Sequence, residues 1–224
     1  MKVLSFDVGT RTLSYCLLDH TPAAATTVHF WETIDVHSEC GVSEKAKPTM
    51  KEDSEYVVNV LHHRIAQFWG AHVNAVIIEQ QPAGGSNRFC SVRMKSISHV
   101  IHAFFYALQK TEQGGMGEDG AVVPVSFVSP SSKLVGMEKG ETEEEANARA
   151  GGDRKTMGAK YRRNKKHAVD MVTALLETMD PNLLCTEVAR ATFAAAAPKQ
   201  DDLADSFMLA YAFATKASKK RKRS

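Results

Sequence analysis

The order of apolar and polar positions along the chain predicts five strands and several longer helices. Runs of apolar and β-branched residues are typical of strands, and they lie at 2–8, 12–18, 28–36, 74–81 and 122–128. Apolar residues at helical spacing predict helices, and these lie at 53–69, 88–108, 165–178 and 201–217. Asp53 or Ser54 is the predicted cap of the first helix, and the Ala-rich stretch 189–197 is predicted as a loop. This order favours an α/β fold, a mixed sheet with helices packed on it.

The first predicted strand carries a charged residue among core positions. Asp7 shares one face of the pleat with Val3 and Ser5, and Gly9 and Thr10 then turn the chain into the second strand. A carboxylate on a central strand is costly to desolvate unless it has a partner. A metal ion is the partner that best suits a carboxylate-rich site. An Asp that merely caps the turn with its side chain explains this stretch equally well.

Three more acids occupy positions that the pattern predicts to be buried. Glu79 shares a strand face with Ala75 and Ile77. Asp202 and Asp205 lie three residues apart in the last predicted helix, so both lie on one face, about 5–6 Å apart at Cβ. That helix is apolar over most of its circumference and should be buried. Compensation of the helix dipole explains acids in the first turn, but it explains Asp205 poorly.

The acids Asp7, Glu79, Asp202 and Asp205 need a shared explanation, because each stands in an element that is patterned for burial. Two Mg²⁺ or Mn²⁺ ions about 4 Å apart would supply one. Carboxylate oxygens suit such hard ions. Ions at this spacing activate a water molecule and stabilise the leaving oxygen of a phosphodiester, so the pattern predicts a metal-dependent phosphodiesterase.

Charge is unevenly distributed along the 224 residues. Residues 154–224 hold 15 Lys/Arg and 7 Asp/Glu, whereas residues 1–153 hold 13 Lys/Arg and 19 Asp/Glu. The segment 154–167 (RKTMGAKYRRNKKH) has seven cations and no acid, which favours a polyanion as partner, although a solvated basic face would look the same. We expect one domain over 1–218, with an acidic insertion at about 138–153 and a basic tail, KKRKR, within 219–224.

Several other classes of protein are not indicated. The four cysteines are far apart, without metal-binding or disulfide spacing, and this pattern fits a reducing compartment. The first strand begins almost at Met1, so an intracellular, unsecreted protein is expected. No apolar stretch reaches membrane-spanning length, and no dinucleotide or Walker fingerprint is present, so neither a membrane nor a nucleotide cofactor is expected.

The motifs that carry the acids resemble those of RuvC-like Holliday junction resolvases, in the RNase H-like superfamily. Asp7 lies in FDVGTRTLS, Glu79 in IIEQQP, and Asp202 and Asp205 in DLAD. The IIEQQP motif before a long basic helix, together with YRRNKKHAV at 161–169, is similar to the branch of poxviruses, other large DNA viruses and fungal mitochondria. Thr12 departs from the Asn of many relatives and puts local turn contacts in doubt.

This resemblance implies an RNase H-like fold, a mixed five-stranded sheet flanked by helices, and a set of residue roles. The four acids would be catalytic and hold two Mg²⁺ ions, with Mn²⁺ as a substitute, and Lys133 would assist phosphate chemistry. The residues that would contact DNA are Gln81, Arg88, Lys160, Arg162, Arg163, Lys165 and Lys166.

The same resemblance implies partners and a location. The substrate would be branched DNA, chiefly four-way junctions, and the protein would be a homodimer in which the helix at 88–108 supplies the contact. It would act where DNA is replicated, in a cytoplasmic viral factory or in the nucleus. The KKRKR tail is either a nuclear-import signal or a DNA-binding arm.

Two other functions remain open on the sequence. Asp7-Val8-Gly9-Thr10 resembles the first phosphate loop of ATP-binding proteins of the actin and sugar-kinase class. That class needs two such domains, and it leaves the acids of the last helix unexplained. The other alternative is a catalytically silent DNA-binding module, which the presence of all four acids disfavours.

Overall fold

The computed structural model describes residues 1–21, 26–71, 73–81, 88–111, 122–129, 154–178, 184–197 and 199–221. Within these ranges, only the backbone is described at 70–71, 88–91, 111, 154–164, 178, 184–186 and 218–221. The predicted insertion at 138–153, the residue Lys133 and the end of the basic tail lie outside the described residues.

Five strands and six α-helices make up the described part of the chain. The strands are β1 (Lys2–Val8), β2 (Thr12–Asp19), β3 (Thr27–Asp35), β4 (Ala75–Glu79) and β5 (Val125–Val128). The helices are α1 (Val36–Glu39), α2 (Met50–Val60), α3 (Arg88–Thr111), α4 (Arg154–Thr178), α5 (Leu184–Ala195) and α6 (Gln200–Arg221). The helix α2 continues into a π-helical turn, Leu61–Ile65, and a 3₁₀ segment, Ala66–Ala71.

The strands form one mixed sheet in the order β3-β2-β1-β4-β5. β1 pairs antiparallel with β2, which pairs antiparallel with β3. On its other side β1 pairs parallel with β4, and β4 pairs parallel with β5. The first strand of the chain is therefore central in the sheet, and the predicted mixed five-stranded sheet flanked by helices is confirmed.

The alternation of side chains along β1 divides the protein into two cores. Phe6 belongs to the core beneath α2 and α3, where its ring lies 5.5 Å from that of Phe105. Val3 belongs to the opposite core, which includes Phe207 of α6. The pleat predicted from the sequence is thus observed, with Ser5 and Asp7 on the α6 side of the sheet.

Two hydrogen bonds fix α6 against this second face. The Ser5 hydroxyl donates to the carbonyl of Ser206 at 2.6 Å. The indole Nε1 of Trp31 donates to the carbonyl of Leu203 at 2.9 Å. Both serines are fully buried, and most of α6 between Leu203 and Ala214 is buried, as its apolar circumference predicts. The helix continues to Arg221, so it runs into the segment predicted as a separate tail.

Three predicted element boundaries are wrong. α2 begins after Thr49, whose side chain forms a reciprocal capping box with Glu52, and not at Asp53 or Ser54. α4 begins already at Arg154, because Lys, Arg, Ala and Met favour helix even where apolar periodicity is weak. The stretch predicted as an Ala-rich loop is mostly the helix α5, which packs the ring of Phe193 on Trp31 at 5.1 Å.

A buried polar cluster joins α1, α2 and α3 and was not predicted. Oδ1 of Asp53 lies 3.0 Å from Nε2 of His37, and Nε of Arg93 donates to Oδ2 of the same carboxylate at 2.8 Å. The side chain of Asp53 is 3% exposed and that of Arg93 is 14% exposed. This carboxylate compensates a largely desolvated guanidinium, so removing its charge should be costly.

We expect Asp53→Asn to lower the free energy of unfolding by about 3 kcal/mol, because Arg93 would keep its charge in a poorly solvated position. Urea denaturation followed by circular dichroism measures this loss. The matched control is Glu55→Gln, which removes an exposed carboxylate of the same helix whose partner Lys51 lies 3.5 Å away. It should cost less than about 0.5 kcal/mol. Equal effects of the two substitutions would contradict a structural role for the cluster.

Candidate active site

The acids of β1 and β4 lie side by side on one face of the sheet. The parallel register pairs Ser5 with Ile77 and Phe6 with Ile78, so Asp7 follows in register with Glu79. Neighbouring strands run about 4.8 Å apart, which keeps these two residues adjacent. Glu79 is 9% exposed, and Asp7 is partly buried. Carboxylate oxygens on adjacent strands are donors that suit a hard cation.

The acids of α6 approach the same region from above the sheet. Burial raises the pKa of the Asp202 carboxyl, and the negative charges of Asp201 and Asp7 raise it further. The cations Lys165 and Lys199 act in the opposite direction. Because the charge of Asp7 acts on the Asp202 carboxyl, the central strand and α6 each contribute an acid to this region.

The docking of α6 sets the position of its second acid. The carbonyl of Ser206, the residue after Asp205, accepts the hydroxyl of Ser5. Ser5 lies two positions before Asp7 and on the same face of β1. The residue that follows Asp205 is therefore held against β1 on the α6 side of the sheet. The prediction that all four carboxylates converge within about 8 Å, close enough to share two ions, stays a prediction.

The turn after Asp7 requires glycine. The amide of Gly9 donates to the carbonyl of Thr12 at 2.9 Å and closes the β1–β2 connection. A Cβ at position 9 would lie 2.7 Å from Oγ1 of Thr12 and 3.0 Å from its carbonyl oxygen. Thr12 thus supplies the backbone contact of this turn and leaves no space beside Gly9.

Gln81 has a described contact on the protein itself. Its amide nitrogen Nε2 donates to the carbonyl of Val8 at 3.2 Å, so the segment after β4 is tied to the carboxyl end of β1. This bond lies one residue from Asp7 and steadies the edge of the sheet that carries the acids. The predicted contact of Gln81 with DNA stays a prediction.

The predicted DNA-binding cations are only partly described. Lys165 is ion-paired with Asp201, and its Nζ also lies 3.9 Å from Oδ1 of Asp202, so its described partners are carboxylates. Lys166 is exposed on α4. The others have described backbones only: residues 160, 162 and 163 lie on α4, and residue 88 opens α3. Their predicted phosphate contacts, and that of Lys165, stay predictions.

The donors at the site suit a hard divalent cation. Among the described residues, no three His, Cys, Asp or Glu side chains already form a metal-binding group. The chemistry of Asp7, Glu79, Asp202 and Asp205 nevertheless fits such an ion, since all four offer carboxylate oxygens. The pKa of Asp202 is raised, first by burial and then by the charges of Asp201 and Asp7, even with Lys165 nearby.

Two contacts at this site were missed on the sequence. Neither the Ser5–Ser206 bond nor the Lys165–Asp201 pair has a local signature, because each joins residues far apart in the chain. A buried serine on a strand, facing the same way as the acid two positions later, was the only available signal for the first. The Lys165–Asp201 pair had no such signal in the sequence.

Three solved structures are similar to this fold. Yeast mitochondrial Holliday junction resolvase Ydc2 superposes with a TM-score of 0.58 at 16% identity, covering 94% of this chain and 76% of the other. The RuvC of T. thermophilus in complex with a Holliday junction substrate has a TM-score of 0.53 at 17% identity, covering 97% of this chain and 96% of the other. Thermus thermophilus RuvC has a TM-score of 0.54 at 14% identity, covering 98% of this chain and 97% of the other.

The sheet order and the helices on both faces define an RNase H-like fold similar to that of RuvC. The chain belongs to the family described as mitochondrial resolvase Ydc2 / RNA splicing MRS1, whose model matches residues 3–197. The match includes Asp7 and Glu79 and ends before Asp202. Among curated proteins, no relative matches the chain. No described helix combines the length and apolar character needed to cross a bilayer.

We expect Gly9→Ala to lower the free energy of unfolding by about 2 kcal/mol, because the new methyl group would collide with Thr12 at the end of the central strand. Gly41→Ala is the matched control. Its φ of +70° disfavours alanine, but no atom lies within 4 Å of the added Cβ, so only the backbone term of about 1 kcal/mol applies. Urea unfolding of both variants measures the two losses in free energy of unfolding. A Gly9→Ala protein as stable as the wild type would refute the steric requirement.

Proposed function

We propose that this protein is a structure-selective endonuclease that hydrolyses phosphodiester bonds at four-way DNA junctions with the help of divalent metal ions. The observation that carries the proposal is the position of Asp7 on the central strand, one residue beyond the Phe6–Ile78 pair and so beside Glu79 of the neighbouring strand, on the face that α6 covers. Membership of a family described by a mitochondrial resolvase supports the same conclusion.

The four acids would hold two Mg²⁺ ions, for which Mn²⁺ would substitute. Bound there, the ions would supply an activated water molecule and charge stabilisation at the leaving oxygen. The protein's own contribution is orientation. The Ser5–Ser206 bond holds α6 over the sheet, and the turn at Gly9 fixes the end of β1. Lys133, if near the phosphate, would assist this chemistry with its ammonium group.

The basic start of α4 would guide DNA to this site. Lys165 ties α4 to Asp201 at the first turn of α6, so the helix that carries the cationic segment 154–167 runs beside the acids. The cations at 160, 162, 163 and 166, with Gln81 and Arg88, would contact phosphates without reading sequence.

A four-way junction offers two equivalent strands, so we propose a homodimer with α3 as the contact element. Val92 and Tyr106 on α3 are about half exposed, at 52% and 53%, which supports an apolar contact there. The protein would act where DNA is replicated: in an organelle, as the mitochondrial family suggests, in a viral factory, or in the nucleus if the KKRKR tail is an import signal.

A second candidate function follows from the family description, which also names RNA splicing. The match ends at residue 197, so it does not depend on Asp202 and Asp205. A catalytically silent module that binds structured nucleic acid would need the basic helix and not these acids. The ATP-binding alternative gains no support, because the described strands form a single sheet where that class needs two domains.

We expect Asp7→Asn to reduce junction cleavage to background and to leave junction binding intact or tighter, because a negative charge that faces phosphate is lost. Glu55→Gln, on the far side of the sheet, is the control and should cut at the wild-type rate. Cleavage of a synthetic four-way junction with Mg²⁺, beside a linear duplex, measures this. Wild-type activity in Asp7→Asn would exclude the metal assignment. A wild-type protein that binds structured RNA and never cuts DNA would favour the second candidate.

We expect replacement of Arg162, Arg163 and Lys166 by Ala to flatten the salt dependence of junction binding by roughly 2.7 units, since each phosphate contact contributes about 0.9 to the slope. Lys165 is left in place because it pairs with Asp201. Binding to different junction sequences should weaken alike, because phosphate contacts carry no base information. Lys51→Ala, which removes an exposed cation on α2, is the control. An unchanged slope in the triple variant would remove α4 from the DNA interface.

A further inference from the structure

A cleft whose lining includes three cationic side chains lies at the β1–β2 turn. Its volume is about 410 Å³, and it is lined by the turn residues Thr10 and Arg11, by Lys47 and Pro48 before α2, and by Arg93 of α3. The cations therefore come from three separate segments of the chain. No carboxylate belongs to the described lining, but Asp35 and Asp53 pair with its two arginines, so Lys47 is the lining cation whose described contacts include no carboxylate.

The guanidinium of Arg93 is fixed before any ligand arrives. It donates to Asp53 through Nε and Nη2, and Nη2 also donates to the carbonyl of Pro48 at 3.0 Å. Asp53 is held in turn by His37, which also lines the cleft. An arginine held in this way loses little conformational freedom when an anion approaches, although its Nε and Nη2 donors are already engaged by Asp53 and Pro48. The buried cluster thus gives the cleft a rigid wall.

Arg11 and Lys47 add two different kinds of positive charge. Nε of Arg11 donates to Asp35 at 2.7 Å, which holds this guanidinium at the mouth of the cleft. Lys47 is exposed and can move its ammonium toward a ligand. Together with the hydroxyl of Thr10, these groups provide donors of the type that bind phosphate oxygens.

The cleft is also close to the candidate active site. Thr10 follows Asp7 by three residues, so their Cα atoms are at most about 11 Å apart. A DNA strand whose reacting phosphate lies at Asp7 therefore has a neighbouring phosphate within reach of the cleft. We propose that this cleft binds a backbone phosphate of the strand that occupies the active site, an inference that rests on the proposed nuclease function.

Junction binding without divalent metal tests the cleft apart from cleavage. Full-length protein is titrated with a synthetic four-way junction in EDTA across a salt series. Lys47→Ala should reduce the salt slope by about 0.9, as expected for one lost phosphate contact. The control Lys51→Ala removes the same charge four residues later, outside the cleft, where the side chain is 84% exposed and near Glu55. It should leave the slope unchanged. Arg93 is not varied, because its loss would leave Asp53 buried without compensation.

Neutral methylphosphonate linkages locate the phosphate. Each junction carries one such linkage, and the linkage is stepped outward from the cut site. At one position the substitution should weaken binding of the wild type and have little effect on Lys47→Ala, because both changes remove the same contact. Independent, additive effects at every position would overturn the proposal. So would equal changes of slope for Lys47→Ala and Lys51→Ala, which would indicate a diffuse basic surface.

The two proposals fail in different ways. A wild-type protein that binds junctions with the Lys47-dependent slope, but does not cut with Mg²⁺ or Mn²⁺, would retain the cleft and refute the nuclease. A wild-type protein that cuts junctions while Lys47→Ala keeps the wild-type slope would retain the nuclease and refute the cleft. A wild-type protein that binds no junction would refute both.

Discussion

The hydrogen bond between the hydroxyl of Ser5 and the carbonyl of Ser206 is the contact on which the rest of the site depends. Both residues are fully buried, and the distance is 2.6 Å. A helical carbonyl is normally occupied within its own helix, so this contact adds a second donor to it and fixes both the height and the rotation of α6 over the central strand. A slip of α6 would break this bond and leave the Ser5 hydroxyl with only its longer contact to the carbonyl of Cys16, at 3.3 Å. Two buried serines thereby set where the acids of the helix lie relative to Asp7.

At the candidate site, folding places a carboxyl group where its ionised form is disfavoured. Folding raises the pKa of Asp202 through burial and through the neighbouring charges of Asp201 and Asp7. Ionisation of this carboxyl therefore opposes folding at pH values above its pKa in the folded protein, and the opposition is relieved as the pH falls through that value. Lys165 compensates part of the charge from α4. The large apolar cores on both faces of the sheet supply the stability that such an arrangement requires.

Much of this arrangement can be predicted from the sequence, and the missing parts have one physical cause. The alternation along β1 predicted that Asp7 shares a face of the sheet with Val3 and Ser5, and the apolar circumference of α6 predicted its burial. The helix α5 was missed because a run of alanines carries little periodicity, although alanine favours helix strongly. The Lys165–Asp201 pair and the cluster of Asp53 with Arg93 could not be predicted, because they join segments that only the folded sheet brings together. Local patterns report on one element at a time, and such pairs depend on how elements are packed.

The parallel pairing of β1 with β4 has a consequence for the order in which the protein acquires its chemistry. Hairpin partners such as β1 and β2 can pair early. The parallel ladder between Val3 and Ala75 forms later, because the long segment between them must first close into a loop, which has an entropic cost. The acids of α6 are synthesised later still. A chain emerging from the ribosome would therefore hold Asp7 in place well before Asp202 and Asp205 exist to complete the set. A chain that ends before α6 therefore lacks two of the four acids of the candidate site.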